Sequence, residues 1–353
     1  AFYSVVAGWT VGYLWKALTG SFAVEMTGEQ SAALFGELIG SPVQAIALSG
    51  LFLLLTIFVV RGGISGGIER VTTVLMPVLL VLLVVLAIRS VTLPGALEGV
   101  EYLFKPDFSK ISAGVVLNAL GQALFSLSLG MGAMITYGSY FPDKENLASS
   151  GATVALFDTG IALLAGIIMF PALFAAGVEP GAGPGLVFVV LPTIFEAMPA
   201  GTLFAIAFYF LLAIAALTST ISLLEVVVSY FVDEKKWPRK RAAWFVGAVC
   251  FVLAVPSALS QGAVDWLSSG PWLGGTFLDM QNIIFGNYSL SIGAFMLCLF
   301  VGWKWGTTNA LGSLEASGHA MPLKGAWSFL IRYLCPLAIM ATLIYIIVTG
   351  NYL

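Results

Sequence analysis

The sequence predicts an all-α polytopic membrane protein, and its composition carries that prediction. Of the 353 residues, 59% are apolar and 9% are charged, whereas soluble domains hold about 45–50% apolar and about 25% charged residues. The apolar residues form runs of roughly 20, the length that a helix needs to cross about 30 Å of hydrocarbon. A formal net charge of −3 offers no basic surface. These features exclude a soluble enzyme, a disordered chain and a nucleic-acid-binding protein.

Nine apolar runs are predicted to be membrane-spanning helices. They cover residues 1–18, 43–60, 71–92, 112–139, 150–176, 199–230, 242–258, 280–302 and 329–350. The run at 199–230 is long for one crossing, so we expect this helix to tilt or to project beyond the bilayer. The first run opens without a Met or a charged segment. We therefore expect an N-terminally incomplete chain.

The positive charges predict the orientation of these helices. Eleven of the 15 Lys and Arg residues lie in or beside alternate connections, at 61–70, 140–148, 231–241 and 303–328. The connections that hold neither Lys nor Arg are 19–42, 177–198 and 259–279. Short loops rich in Lys and Arg stay in the cytoplasm. The first span is therefore predicted to run outward, and the last to end outside at Tyr352 and Leu353.

Glycine and serine interrupt the fourth span. Between Gly121 and Gly132 the sequence alternates these residues with apolar ones, and glycine costs up to about 1 kcal/mol inside a helix. One interpretation is a helix broken near the membrane midplane that lines a substrate cavity. The other is a small-residue face for close helix packing. The spacing by itself does not choose between them.

Hydroxyl groups share one face of the sixth span. Ala215, Thr218, Ser219 and Ser222 follow the i, i+3, i+4, i+7 spacing of a helix face. Their oxygens could bind a hard cation such as Na⁺. The alternative is that these hydroxyls donate to carbonyls of their own helix, and the spacing alone favours that alternative.

Two carboxylates lie inside predicted spans, where an ionisable group is costly and is a functional candidate. Asp158 in the fifth span requires a cation, a proton or a set of hydrogen-bond donors. Glu225 in the sixth span lies nearer the cytoplasmic half, and the sequence does not identify its partner.

At these residues the chain resembles the neurotransmitter:sodium symporter family, in its bacterial amino-acid branch. The most specific matches are the segments Arg61–Arg70, Gly121–Gly130, Thr136–Tyr140 and Leu217–Ser219. The resemblance implies a five-plus-five inverted-repeat sodium symporter fold in which the nine spans are helices three to eleven of eleven. It also implies one transporter domain over residues 1–353, divided into the rest of the first repeat, the second repeat, and the last loop and helix. These parts are 1–110, 111–302 and 303–353.

The resemblance assigns roles residue by residue. The substrate-binding positions are Tyr3, Phe125, Ser126, Ser128, Met131, Ser219 and Leu223. Two sodium ions and no organic cofactor are implied; the sodium positions are Ser126 and Asp158 at the first site and Ala215, Thr218 and Ser219 at the second. The gate positions are Gln122 and Asp279 outside and Tyr140 and Asp233 inside. The function implied is sodium-coupled symport of a small hydrophobic amino acid into the cell by alternating access, carried out by a protein embedded in the lipid bilayer.

Departures from the family pattern refine this expectation. Asp158 stands where many members have Asn, and Ala162 stands where chloride-dependent relatives have Ser. A fixed carboxylate near the first sodium can replace the charge of chloride, so chloride-independent uptake is expected. The family's first two helices, which supply further ligands, have no counterpart here, so we expect no transport by these residues alone.

Other functions stay open on the sequence. One alternative is a proton- or exchange-coupled amino-acid carrier of the same architecture. Another is a membrane amino-acid sensor that does not transport. A membrane enzyme is disfavoured because His319 is the only histidine, and no H-E-x-x-H pattern can therefore occur.

Overall fold

The computed structural model describes residues 1–22, 26–142, 144–178, 183–197, 199–316 and 318–350. These residues form helices and connections, and they contain no strand. The α-helices are α1 Phe2–Leu18, α2 Gly28–Gly40, α3 Pro42–Val60, α4 Arg70–Val91, α5 Ala96–Phe104, α6 Ala113–Ser126, α7 Ala133–Gly138, α8 Leu147–Ala175, α9 Leu191–Ala197, α10 Gly201–Asp233, α11 Arg239–Leu259, α12 Asp265–Ser269, α13 Phe277–Gln281, α14 Ser289–Leu299, α15 Thr307–Glu315, α16 Lys324–Phe329 and α17 Cys335–Thr349.

Helices occupy all nine predicted spans. Among the described residues, seven helices are long and apolar enough to cross a membrane. The other two predicted spans are α1, with 17 residues, and the fourth span, which is divided into α6 and α7. The 33 residues of α10 extend about 50 Å at 1.5 Å per residue, more than the hydrocarbon thickness. The predicted outer end at Tyr352 and Leu353 lies outside the described residues.

Several predicted connections contain helices. The segment 19–42 holds α2, whose N-terminus is closed by a capping box between Thr27 and Gln30. The segment 177–198 holds α9 and the π-helical turn Leu186–Val190 that precedes it. These helices are too short to show as membrane spans, and hydropathy alone therefore reads them as loops.

The chain divides into two compact units, Ala1–Pro106 with Ile161–Asp279, and Asp107–Gly160 with Met280–Leu353. They differ from the predicted parts 1–110, 111–302 and 303–353, because packing groups helices by contact whereas an inverted repeat follows the order of the chain. The division into repeats stays a prediction.

In the first unit, α1, α3, α10 and α11 pack against one another. Buried hydroxyl pairs join these helices. Ser4 Oγ and Ser49 Oγ lie 3.1 Å apart, and Thr56 Oγ1 and Thr220 Oγ1 lie 2.8 Å apart. Each hydroxyl thus has a partner away from water, as buried polar groups require.

An irregular turn in the same unit is held by side chains from three helices. The π-helical turn Leu186–Val190 presents three consecutive carbonyls. Tyr209 donates to Val187 O at 2.9 Å, Tyr13 to Phe188 O at 2.7 Å and Ser31 to Val189 O at 2.7 Å. Backbone carbonyls that are turned away from water require such partners.

The structure identifies the partner of Glu225. Its carboxylate is fully buried and forms an ion pair with Nη2 of Arg239. Arg239 Nε also donates to Val60 O at 2.9 Å. The pair therefore links α10, α11 and the end of α3. The sequence could not single out Arg239, because it is one of five cations between residues 235 and 241.

We expect Arg239→Met to lower the free energy of unfolding by about 3–5 kcal/mol, because it leaves a buried carboxylate without its cation. The measurement is denaturant unfolding in detergent micelles. The double variant Glu225→Leu/Arg239→Met should recover much of the loss, since removal of both charges leaves no uncompensated ion. Lys240→Met, at an exposed neighbour, is the control. A single variant as stable as this control would contradict the prediction.

Candidate functional site

The fourth span is a broken helix, as the first interpretation of its glycines and serines predicts. Helix α6 ends at Ser126 and α7 begins at Ala133. The end of α6 has the hydrogen bonds of a Schellman motif: Ser128 N donates to Phe125 O at 3.0 Å and Leu129 N donates to Leu124 O at 2.9 Å. Ser128 takes the left-handed conformation with φ of 53°, where glycine is usual. The chain therefore accepts local strain at this turn.

Gly130 fixes the break against α14 in the second unit. Its φ is +81°, and a Cβ at this position would lie 2.3 Å from Leu290 O. Gly293 faces it, and a Cβ there would lie 2.4 Å from Gly130 O. The two backbones approach so closely that neither position has room for a side chain.

We expect Gly130→Ala to lower the free energy of unfolding by at least about 1–3 kcal/mol, the cost of a strained backbone conformation, with the clash added to it. Thermal unfolding in detergent tests this. Gly138→Ala is the matched control, because a Cβ there meets nothing within 4 Å. Equal melting temperatures for the two variants would show that the break does not depend on Gly130.

The two predicted ligands of the first sodium site are in contact within the second unit. Ser126 Oγ, at the last turn of α6, donates a hydrogen bond of 2.6 Å to Asp158 Oδ1 on α8. A hydroxyl that donates to a carboxylate keeps its lone pairs available. The pair thus offers a full negative charge and a neutral oxygen, which are donors that hard cations prefer.

The predicted oxygens of the second sodium site lie together on α10, in the first unit. Thr218 Oγ1 donates to Ala215 O at 2.9 Å, and Ser219 Oγ donates to the same carbonyl at 3.2 Å. These are the intrahelical bonds of the alternative interpretation. They also gather three oxygens at one point of the helix, and each hydroxyl that donates keeps its lone pairs. The donor set therefore fits a hard cation, and the intrahelical bonds do not exclude one.

Tyr3 lies beside this cluster. Its side chain is partly buried and lies near the side chain of Ser219. The contact joins α1 to α10 and brings a predicted substrate residue to a predicted sodium ligand. Leu223, one turn further along α10, is exposed. The first unit thus carries Tyr3, Ser219 and Leu223, while Phe125, Ser128 and Met131 belong to the second unit.

The predicted gate residues have varied surroundings. Asp279 accepts from Thr276 N at 3.1 Å and from Thr276 Oγ1 at 2.7 Å, and so caps α13. Tyr140 follows α7, and its ring lies 6.5 Å from that of Tyr137. Gln122 on α6 and Asp233 at the end of α10 are exposed. The sequence does not predict the role of Thr276, although Thr followed three residues later by an acid is a capping pattern.

Comparison with known proteins now gives the family. The sequence profile of the Sodium:neurotransmitter symporter family matches residues 39–352. The chain belongs to this family. Its members are transporters and not enzymes, so the protein is a sodium-dependent transporter that crosses the plasma membrane several times. The predicted family and the absence of enzymatic activity are confirmed.

Individual members of the symporter family are similar over nearly the whole chain. The uncharacterised sodium-dependent transporter YhdH of Bacillus subtilis is 39% identical over 350 residues, which are 98% of this chain and 76% of that protein. An uncharacterised sodium-dependent transporter of Haemophilus influenzae is 35% identical over 98% of this chain and 75% of its own length.

A solved structure supports the fold of this symporter. The crystal structure of MhsT in complex with L-phenylalanine superposes with a TM-score of 0.86 and 41% sequence identity, covering 98% of this chain and 77% of MhsT. The predicted fold class is thereby confirmed. The roles of the individual site residues stay predictions.

Proposed function

We propose that this symporter couples the uptake of a small hydrophobic amino acid to sodium by alternating access, without chloride. The observation that carries the proposal is the hydrogen bond of 2.6 Å between Ser126 and Asp158 beside the helix break. It supports a first sodium site that includes a carboxylate of the protein. Inside a membrane a carboxylate needs a cation, a proton or hydrogen-bond donors, and a bound sodium ion meets that need.

The absence of a chloride requirement follows from this charge. In our proposal a sodium ion and a zwitterionic amino acid share the first site and together carry one positive charge, which one negative charge of the protein balances. Asp158 supplies that charge from the protein itself. Ala162, one helical turn further along α8, has no hydroxyl to donate to an anion. Exchange of a proton by Asp158 during the return step is compatible with the same arrangement.

The second sodium is assigned to Ala215 O, Thr218 and Ser219. In our proposal this ion favours the outward-open state, and substrate binding then closes a lid at Phe125. The inner gate at Tyr140 and Asp233 opens afterwards. The sodium gradient and the membrane potential drive the cycle, and the potential contributes about 2.3 kcal/mol per charge per 100 mV.

The substrate preference rests on the apolar side chains at the predicted pocket positions. Met131 and Leu223 carry no charge to pair with an ionic side chain, and Met adapts to different shapes. The similar protein MhsT was crystallised with L-phenylalanine. We therefore propose a hydrophobic amino acid such as L-phenylalanine as the substrate.

Uptake by the full-length protein in proteoliposomes tests this function. We expect accumulation of labelled L-phenylalanine with external sodium and none when choline replaces sodium. Gluconate in place of chloride should leave the rate unchanged, and excess L-lysine or L-glutamate should not compete. Uptake that persists in choline would favour a proton- or exchange-coupled carrier. Binding without accumulation would favour an amino-acid sensor.

A further inference from the structure

A groove of about 330 Å³ lies between the C-terminal end of α14 and the N-terminal end of α17, within the second unit. Its volume is at the lower end of the range for small-molecule sites, about 300–1,000 Å³. Most of its wall is apolar, formed by Phe295, Leu299, Pro336, Leu337 and Met340. One cation, Arg332, shares this wall. A cation in an otherwise apolar groove suits a ligand that has both an anionic group and an apolar part.

The fold holds Arg332 in position at this groove. Both helices have a π-helical turn here, at Phe300–Gly306 and at Leu330–Leu334. Arg332 Nε donates to Gly302 O at 3.0 Å, and Trp303 Nε1 donates to Arg332 O at 3.2 Å. Gly302 permits this approach, since a Cβ there would lie 3.2 Å from Arg332 Cα. π-helical turns occur often at functional sites.

The guanidinium has no carboxylate partner within 4.0 Å in the part of the chain that the structure describes. Its carbon instead lies 5.6 Å from the centre of the Trp303 ring. The Nε contact uses one donor of the five that an arginine side chain carries. The terminal nitrogens are thus available for an anion, and their planar arrangement suits a phosphate.

The surroundings correspond to the boundary between hydrocarbon and lipid headgroups. Trp303 is 59% exposed and Tyr333 is 43% exposed, and such amphipathic rings concentrate at that level of a bilayer. The Lys and Arg residues of the connections predict that this end faces the cytoplasm. The cytoplasmic leaflet is the one that carries anionic lipid in many membranes.

We propose that this groove binds an anionic phospholipid. The lipid phosphate contacts the terminal nitrogens of Arg332, and one acyl chain lies along Leu337 and Met340. A soluble phosphate would satisfy the cation but would leave the apolar wall uncovered, so the combination favours a lipid.

Native mass spectrometry of the delipidated full-length protein tests the proposal. The probes are dioleoylphosphatidylglycerol and dioleoylphosphatidylcholine, titrated separately in detergent. We expect half-maximal retention of the phosphatidylglycerol at a concentration at least about fivefold lower, the factor that corresponds to one favourable cation at a membrane surface. Arg332→Gln should abolish this difference, and Arg332→Lys should keep most of it because the charge remains.

The matched control is Arg61→Gln. Arg61 also lies over an aromatic ring, 4.2 Å from the centre of Phe58, but it does not line the groove, so this variant should behave like the wild type. Leu337→Trp leaves Arg332 intact and should weaken phosphatidylglycerol retention by filling the groove. This variant keeps the test decisive if Arg332→Gln fails to fold.

Three results would overturn the proposal. The first is equal retention of the two lipids by the wild type. The second is an unchanged preference in folded Arg332→Gln or unchanged retention in Leu337→Trp. The third is complete displacement of the phosphatidylglycerol by millimolar inorganic phosphate, which would identify a site for a small anion alone.

Discussion

The double variant Thr218→Val/Ser219→Ala is expected to lose sodium-dependent amino-acid binding. Both substitutions keep the helix and nearly the same volume, but they remove two of the three oxygens gathered at Ala215 O. An interaction with a charged group is worth about 1.5–3 kcal/mol, so two lost ligands correspond to at least about a 100-fold loss of sodium affinity. Equilibrium binding of labelled L-phenylalanine to the full-length protein across a sodium titration measures this loss.

The control for this variant is Ser229→Ala on the same helix. Its hydroxyl donates to Val226 O at 2.9 Å, as an intrahelical bond of the same kind outside the cluster. It should leave sodium affinity unchanged. If the double variant bound sodium as this control does, the Thr218 and Ser219 hydroxyls would be intrahelical partners and nothing more.

Asp158→Asn is expected to make uptake respond to chloride. The substitution keeps the size of the side chain and removes the negative charge beside Ser126. We expect sodium affinity to fall by about tenfold, which corresponds to about 1.4 kcal/mol. Added chloride should restore part of this affinity, because an anion supplies the missing charge. Uptake by the full-length protein in proteoliposomes with chloride or gluconate provides the measurement.

Ser126→Ala is the matched control for the charge. It removes the hydrogen bond of 2.6 Å to Asp158 but leaves the carboxylate in place. Sodium affinity should fall in this variant also, while uptake stays independent of chloride. The proposed role of Asp158 would be contradicted if Asp158→Asn left both sodium affinity and chloride independence unchanged.

Hydropathy predicted the spans well because the bilayer imposes a length on each apolar run. The nine runs coincide with helices even where glycine and proline occur. The same criterion missed α2 and α9, because a helix outside the hydrocarbon need not be apolar or long. It also gave no sign of the irregular turn Leu186–Val190, whose carbonyls are satisfied by Tyr13, Ser31 and Tyr209 from distant parts of the chain.

In the candidate site, too, helical spacing predicted some contacts between residues and not others. Spacing brought Ala215, Thr218 and Ser219 to one helix face, because 3.6 residues per turn determines that result locally. Spacing could not bring Ser126 to Asp158, since 32 residues separate them. The approach depends on how α6 ends and on how α8 packs beside it.

By itself the sequence determined the membrane class, the number and positions of the spans, and the residues with chemistry unusual for a bilayer. These follow from local properties, namely hydropathy, helical periodicity and the cost of a buried charge. Only the tertiary structure decided that the fourth span is broken with Gly130 packed closely against α14, that Arg239 neutralises Glu225, and that Arg332 lies in an apolar groove. Each depends on backbone approach or charge pairing between distant segments, which no local pattern specifies.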